Sequence, residues 1–186
     1  MPSLLLAYLA FASMALPDGL LGVAWPAMRA SLGQPVSAVG LLMPFGVASS
    51  LLSSAGTGFL LARTGVGRLL ALSALLSAIA LAACGLAPAF WAVIAAVVLL
   101  AAGFGAVDSG LNAYAARHFT ARHINWMHAS YGLGAATGPI LVTGVIAAGL
   151  SWRWAYGCVA VILALVAAAF FATAGRWTAA TPRRRT

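Results

Sequence analysis

The sequence contains no lysine and no glutamate. Its acids are two aspartates, Asp18 and Asp108, set against ten arginines, and charged residues make up 6% of the 186. A soluble domain needs several times that charge to wet its surface, so a water-soluble fold is excluded. Sustained apolar/polar alternation is also missing, which argues against an outer-membrane barrel. Cysteine is scarce: Cys84 and Cys158 lie in apolar runs and are expected as free thiols that pack as small residues. No nucleotide-binding glycine loop, nucleophile elbow or pair of catalytic acids is present. Gly103-x-Gly105 sits mid-run with no strand before it, so it is not a dinucleotide fingerprint. His118, His123 and His128 recur every five residues, a spacing that does not line one helix face, and have no carboxylate or cysteine beside them. Neither a metal nor a cofactor is expected, and an enzyme embedded in the membrane is disfavoured for want of a catalytic cluster.

What remains is apolar chain: 63% hydrophobic residues and a mean hydropathy of +1.03. This describes an all-α integral membrane protein. Six spanning helices are expected, at approximately 3–28, 37–62, 67–87, 89–115, 125–149 and 153–174, followed at 175–186 by a basic tail or the start of a linker to a further unit. Each run meets the ~20 residues a bilayer requires. Trp25-Pro26 closes the first, with an interfacial aromatic beside a helix breaker. Arg29–Pro35, the tight basic turn Arg63–Arg68, Gly85–Pro88 and the polar connector Arg117–His123 mark further breaks. The segment from Met1 to Ala15 lacks the basic start of a signal peptide, so it reads as part of a helix that stays.

The arginines lie between the runs, so the net charge of +8 reports topology and not a nucleic-acid partner. Arg63, Arg68, Arg117, Arg122, Arg176, Arg183, Arg184 and Arg185 fall on one side, and Arg29 and Arg153 on the other. The positive-inside rule then places both termini in the cytoplasm and the protein in the cell (inner) membrane. The run Arg183–Arg185 suits either anionic head groups or a solvated tail.

Asp108 interrupts a run with no other charge from Ala89 to Arg117. A charge at the centre of a spanning helix costs about 2.5–3.5 kcal/mol on insertion scales, so it faces a cavity or a partner. Asn112 follows one turn on, on the same face. Asp18 lies 90 residues before Asp108, in a helix that would cross the membrane in the opposite direction. That placement is what an inverted three-plus-three repeat would give, and its solute site lies where the repeats meet. An acid there loses hydration of its charged form and is suited to exchanging protons. Asp18, Asp108 and Asn112 are therefore the candidate proton and solute residues, with a structural carboxylate as the rival for each acid. Asn125, His128 and Tyr131 are candidates to line the cavity. In helix two, Gly46, Ser50 and Ser54, with Ser49, Ser53 and Thr57 alongside, read as a packing stripe. In helix five, Gly134 and Gly138 make a small-xxx-small contact, and Pro139 puts a bend there.

Two stretches carry a resemblance. Gly58-Phe-Leu-Leu-Ala62-Arg63-Thr-Gly65-Val-Gly-Arg68 resembles the signature loop of the major facilitator superfamily, with Ala62 in place of the pattern's Asp. Trp152-Arg153-Trp154-Ala-Tyr156 also resembles the superfamily. Asp18, and Asp108 with Asn112 four residues later, look like the fucose–proton symporter branch. The resemblance implies proton-coupled symport by alternating access, of a small solute such as a sugar. It also implies that Gly58, Arg63, Gly65 and Arg68 shape a cytoplasmic gate. Gly134-x-x-x-Gly138-Pro139 resembles the helix-five motif of drug–proton antiporters, which keeps efflux as an alternative. The chain matches the first six helices of a twelve-helix family, so a second half is implied: a C-terminal half, a separate chain or a second copy. An inactive truncated half is the remaining alternative.

Overall fold

The computed structural model describes residues 2–177. The run Arg183–Arg185 and the rest of the tail from 178 lie outside the described residues. Six long helices carry the chain: α1 Pro2–Ser31, α2 Leu42–Thr64, α3 Val66–Gly85, α4 Phe90–His118, α5 Ala121–Ala147 and α6 Trp152–Thr173. All six are long and apolar enough to cross a bilayer. A 3-10 turn, Val36–Leu41, leads into α2, and another, Ala174–Arg176, follows α6.

The helix ends differ from the sequence reading by a few residues in both directions: α1, α2 and α4 run on at their C-terminal ends and α5 starts earlier, whereas α2 starts later, after a 3-10 turn, and α3 and α5 stop two residues short. The polar connector expected over Arg117–His123 is mostly helical, since α4 continues to His118 and α5 begins at Ala121. Thr120 caps α5 through its side chain, which accepts from the His123 backbone N–H. Polarity ends a membrane run but not a helix. The expected turn Arg63–Arg68 contracts to Gly65 alone, between Thr64 and Val66. Gly65 holds φ +75, a conformation that glycine enters without steric cost. Between α1 and α2, Trp25 donates its indole N–H to the Val36 carbonyl at 3.0 Å.

The packing has an internal two-fold pattern. The principal contacts are α1 with α5, α2 with α4, α3 with α4, α1 with α6, and α3 with α6. Exchanging the first three helices with the last three maps α1·α5 onto α4·α2 and α3·α4 onto α6·α1. The α3·α6 pair maps onto itself. The chain is thus an inverted three-plus-three repeat.

Small residues make the symmetric contacts close. On α5, a Cβ at Gly134 would strike the Ala12 backbone, and one at Gly138 the Leu16 carbonyl. On α1, a Cβ at Gly19 would come within 2.8 Å of the Ala135 carbonyl and abut the Pro139 ring. Pro139 lies inside a continuous α5, and its ring fills the notch that Gly19 leaves. On the other side of the repeat, Gly105 of α4 meets the Ser50 carbonyl of α2. Ser49 and Ser53 of α2 donate to the Val98 and Ala102 carbonyls of α4, at 2.7 and 2.5 Å. Interhelical bonds of this kind average about 0.6 kcal/mol each in a membrane. At the end of α3, the Arg153 guanidinium donates to the Gly85 and Ala87 carbonyls, at 2.8 and 2.9 Å. It thereby satisfies carbonyls that the helix end leaves open.

Candidate functional site

Three consecutive residues of α4 turn in three directions, as a helix requires at 3.6 residues per turn. Gly103 backs onto α3, where a Cβ would lie 2.7 Å from the Ser73 carbonyl. Gly105 backs onto α2. Phe104, between them, faces neither and points into the space that α1, α2 and α4 enclose. Two cavities meet at this ring. One, of about 540 Å³, is lined by Asp18, Ser50 and Phe104 among a majority of apolar side chains. The other, of about 310 Å³, is lined by Phe11, Ser50, Phe104, Gly105, Asp108, His128 and Tyr131. Ser50 and Phe104 belong to both.

The two aspartates therefore stand on neighbouring cavities, one on each. Tyr131 spans the boundary: its side chain lines the Asp108 cavity, and its hydroxyl donates to Asp18 Oδ2. This bond joins α5 to α1 next to the glycine contacts that bring those helices together. Phe11 sets its edge against His128, with centroids 5.3 Å apart, and against Tyr131, at 6.3 Å. Asp108 has its own partner. The Asn112 amide donates to Asp108 Oδ1 and to the Asp108 carbonyl, both at 3.0 Å. Asn112 thus orients the acid, and it lines neither cavity.

The other sequence candidates fall in several places. Asn125 is exposed and lines neither cavity, whereas His128 and Tyr131 both line the smaller one. The three histidines are spread out: His118 stacks on Tyr114 at 4.0 Å, His123 meets the Phe119 edge, and His128 meets Phe11. Gly58 and Arg68 are exposed, and the Arg63 guanidinium lies 4.0 Å over the Phe59 ring. Gly134 and Gly138 serve the α1–α5 contact, with Pro139 against Gly19. Cys84 and Cys158 are free, and Cys84 lines the larger cavity.

Sequence reasoning passed over Phe104, although a bulky ring between two glycines is a readable signal. It read Ser50 as packing only. It also left Trp177 in a polar tail, whereas that ring is 2% exposed and packs on Tyr114 and Phe170.

A two-fold arrangement of three-helix units, with an acid of each unit at the shared hollow, is transporter architecture. The family model described as Major Facilitator Superfamily matches residues 7–186. The chain belongs to the major facilitator superfamily. No curated protein matches it individually. Membership makes it a multi-pass membrane protein of the secondary-transporter kind, moving small solutes. The superfamily's function is transport and not catalysis.

Proposed function

We propose that this chain supplies half of a proton-coupled secondary transporter for a small organic solute, working by alternating access. The observation that carries the reading is the pair of adjacent cavities, with Asp18 on one, Asp108 on the other, and Tyr131, which lines the Asp108 cavity, bonded to Asp18. In this reading the aspartates exchange protons and meet the solute, and Asn112 holds Asp108 in register. Phe104 is the septum between the two spaces. The sugar that the fucose-symporter resemblance implies would need a polar partner for each hydroxyl, and an unmet buried group costs about 1–3 kcal/mol. The larger cavity offers Asp18 and Ser50 amid aliphatic walls, which supports a solute with an apolar body. That lining also favours proton antiport, the efflux direction, as the second reading.

The arginine distribution supports cytoplasmic placement of both chain ends, with Arg63, Arg68, Arg117, Arg122 and Arg176 at one set of helix ends. On that side, the one-residue Gly65 turn with Arg63 and Arg68 forms the inner gate. Side chains of α2 and α5, the two least buried spans, help to line the cavities, so the carboxylates lie behind an uncovered face. A carboxylate facing hydrocarbon is costly, so a second six-helix unit covers this face. Whether it lies in the same polypeptide, a separate chain or a second copy is read by crosslinking in native membranes.

The decisive experiment is uptake into proteoliposomes under an imposed proton gradient. Asp108→Asn is expected to abolish uphill accumulation while solute exchange persists. Full uphill accumulation by that variant removes Asp108 from the coupling role. Accumulation against the direction of proton flow selects antiport, and accumulation along it selects symport.

A further inference from the structure

The larger cavity pairs one acid with walls that are otherwise greasy. Leu21, Leu42, Val47, Val97 and Leu100 make up much of its surface, and Phe104 and Tyr156 add two aromatic rings. Its volume of about 540 Å³ falls within the 300–1,000 Å³ typical of sites for drug-sized ligands. The carboxylate at its edge has no cation close along its own helix. Arg29 lies in the last turn of α1, eleven residues from Asp18, or roughly 16 Å along the axis. Asp18 instead accepts a hydrogen bond from a neutral phenol, Tyr131.

Such a site selects by charge and by polarity. An anion meets Asp18 and is repelled. A polyol leaves most of its hydroxyls against hydrocarbon. A cation with an apolar body satisfies both walls at once: its charge pairs with Asp18, and its body displaces water from the aliphatic surface. Aromatic faces add cation–π attraction for a positive centre within about 6 Å of the ring.

Resting on the transport reading above, we infer that the solute is an amphipathic organic cation, which takes Asp18 as its counter-ion in place of the Tyr131 hydroxyl. Binding then frees that hydroxyl on the side of the cavity that holds Asp108. The two acids divide the work: Asp18 meets the cation, and Asp108 lies across the Phe104 septum in the smaller, more polar space.

The test is equilibrium titration of the purified full-length protein in detergent, with no proton gradient, using three probes in separate samples. Tetraphenylphosphonium and tetraphenylborate share a shape and differ in the sign of charge, and L-fucose is the polar comparator. Saturable binding of the phosphonium alone is expected. Asp18→Asn weakens it about tenfold or more, as loss of the bound cation's charge partner does. Asp18→Glu retains it, which separates lost charge from lost fold. Tyr131→Phe tightens it about two- to fivefold, because no competing donor has to leave. Fucose binding, equal binding of the borate, or an Asp18→Asn affinity equal to the parent's overturns the assignment. Weaker binding by Tyr131→Phe overturns the exchange of partners. The titration is blind to proton coupling. Its failure with coupled uptake intact removes the solute class alone, and lost coupling with binding intact removes the coupling reading alone.

Discussion

Gly134 offers the sharpest test of how α1 and α5 are held. A methyl group there would overlap the Ala12 carbonyl oxygen, and it would lie 2.7 Å from the Ala12 carbonyl carbon and 3.0 Å from its Cα. Ordinary contact for a Cβ begins near 3.4 Å, so Gly134→Ala forces the two backbones apart by roughly 1 Å. Overpacking of this kind costs about 1–3 kcal/mol. Alanine's better helix propensity returns about 1 kcal/mol at most. A net loss of about 1–2 kcal/mol corresponds to roughly 2–8 °C in Tm for a chain of this size. Tyr131 lies one turn before Gly134, so the same displacement pulls its hydroxyl off Asp18. Thermal unfolding in detergent reads the first effect, and cation titration reads the second. Gly22→Ala is the control, because nothing lies within 4 Å of a Cβ at Gly22, and it should hold or raise Tm. Ala12→Gly should not rescue Gly134→Ala, since the obstruction is backbone. A Gly134→Ala protein as stable as its parent, or one restored by Ala12→Gly, would refute the packing argument.

Three further outcomes follow from the geometry. Ser53→Ala removes the 2.5 Å bond to the Ala102 carbonyl and should cost about 0.6 kcal/mol, read as a small fall in Tm beside an unchanged proton-driven uptake ratio. Arg153→Ala strips two carbonyls at the end of α3 of their donor, Nη1, and should cost about 1–3 kcal/mol, with Arg153→Lys recovering only part because an ammonium loses the planar guanidinium's contact with the Trp152 ring. Asn112→Ala frees Asp108 from its orienting amide, so it should weaken the coupling of uptake to the proton gradient more than it weakens solute binding. Equal losses in both would assign Asn112 to the solute instead.

The six spans were legible because a bilayer imposes a length and a composition that no other context imposes. Their ends were less so, since Arg117 and His118 are polar yet helical, and the connector narrowed to Phe119 and Thr120. The two aspartates stood out by scarcity, and their matched positions in α1 and α4 pointed to the repeat before any packing was known. The Tyr131–Asp18 bond was not legible. It spans 113 residues of sequence, and it depends on Gly134 and Gly138 letting α5 lie against the α1 backbone. Trp177 was misplaced for a similar reason: the chain around it is polar, but its ring is claimed by Tyr114 and Phe170 on two different helices.

The single glycine between Thr64 and Val66 sets a mechanical limit. With one residue for a leash, α2 cannot slide along the membrane normal without dragging the foot of α3, and a Cβ at Gly67 would already collide with Ala174 beyond α6. The lower ends of these helices are tethered like spokes at a hub. On the transport reading, the three-helix units tilt as blocks about that hub, and the widest displacement falls at the far ends, near Arg153.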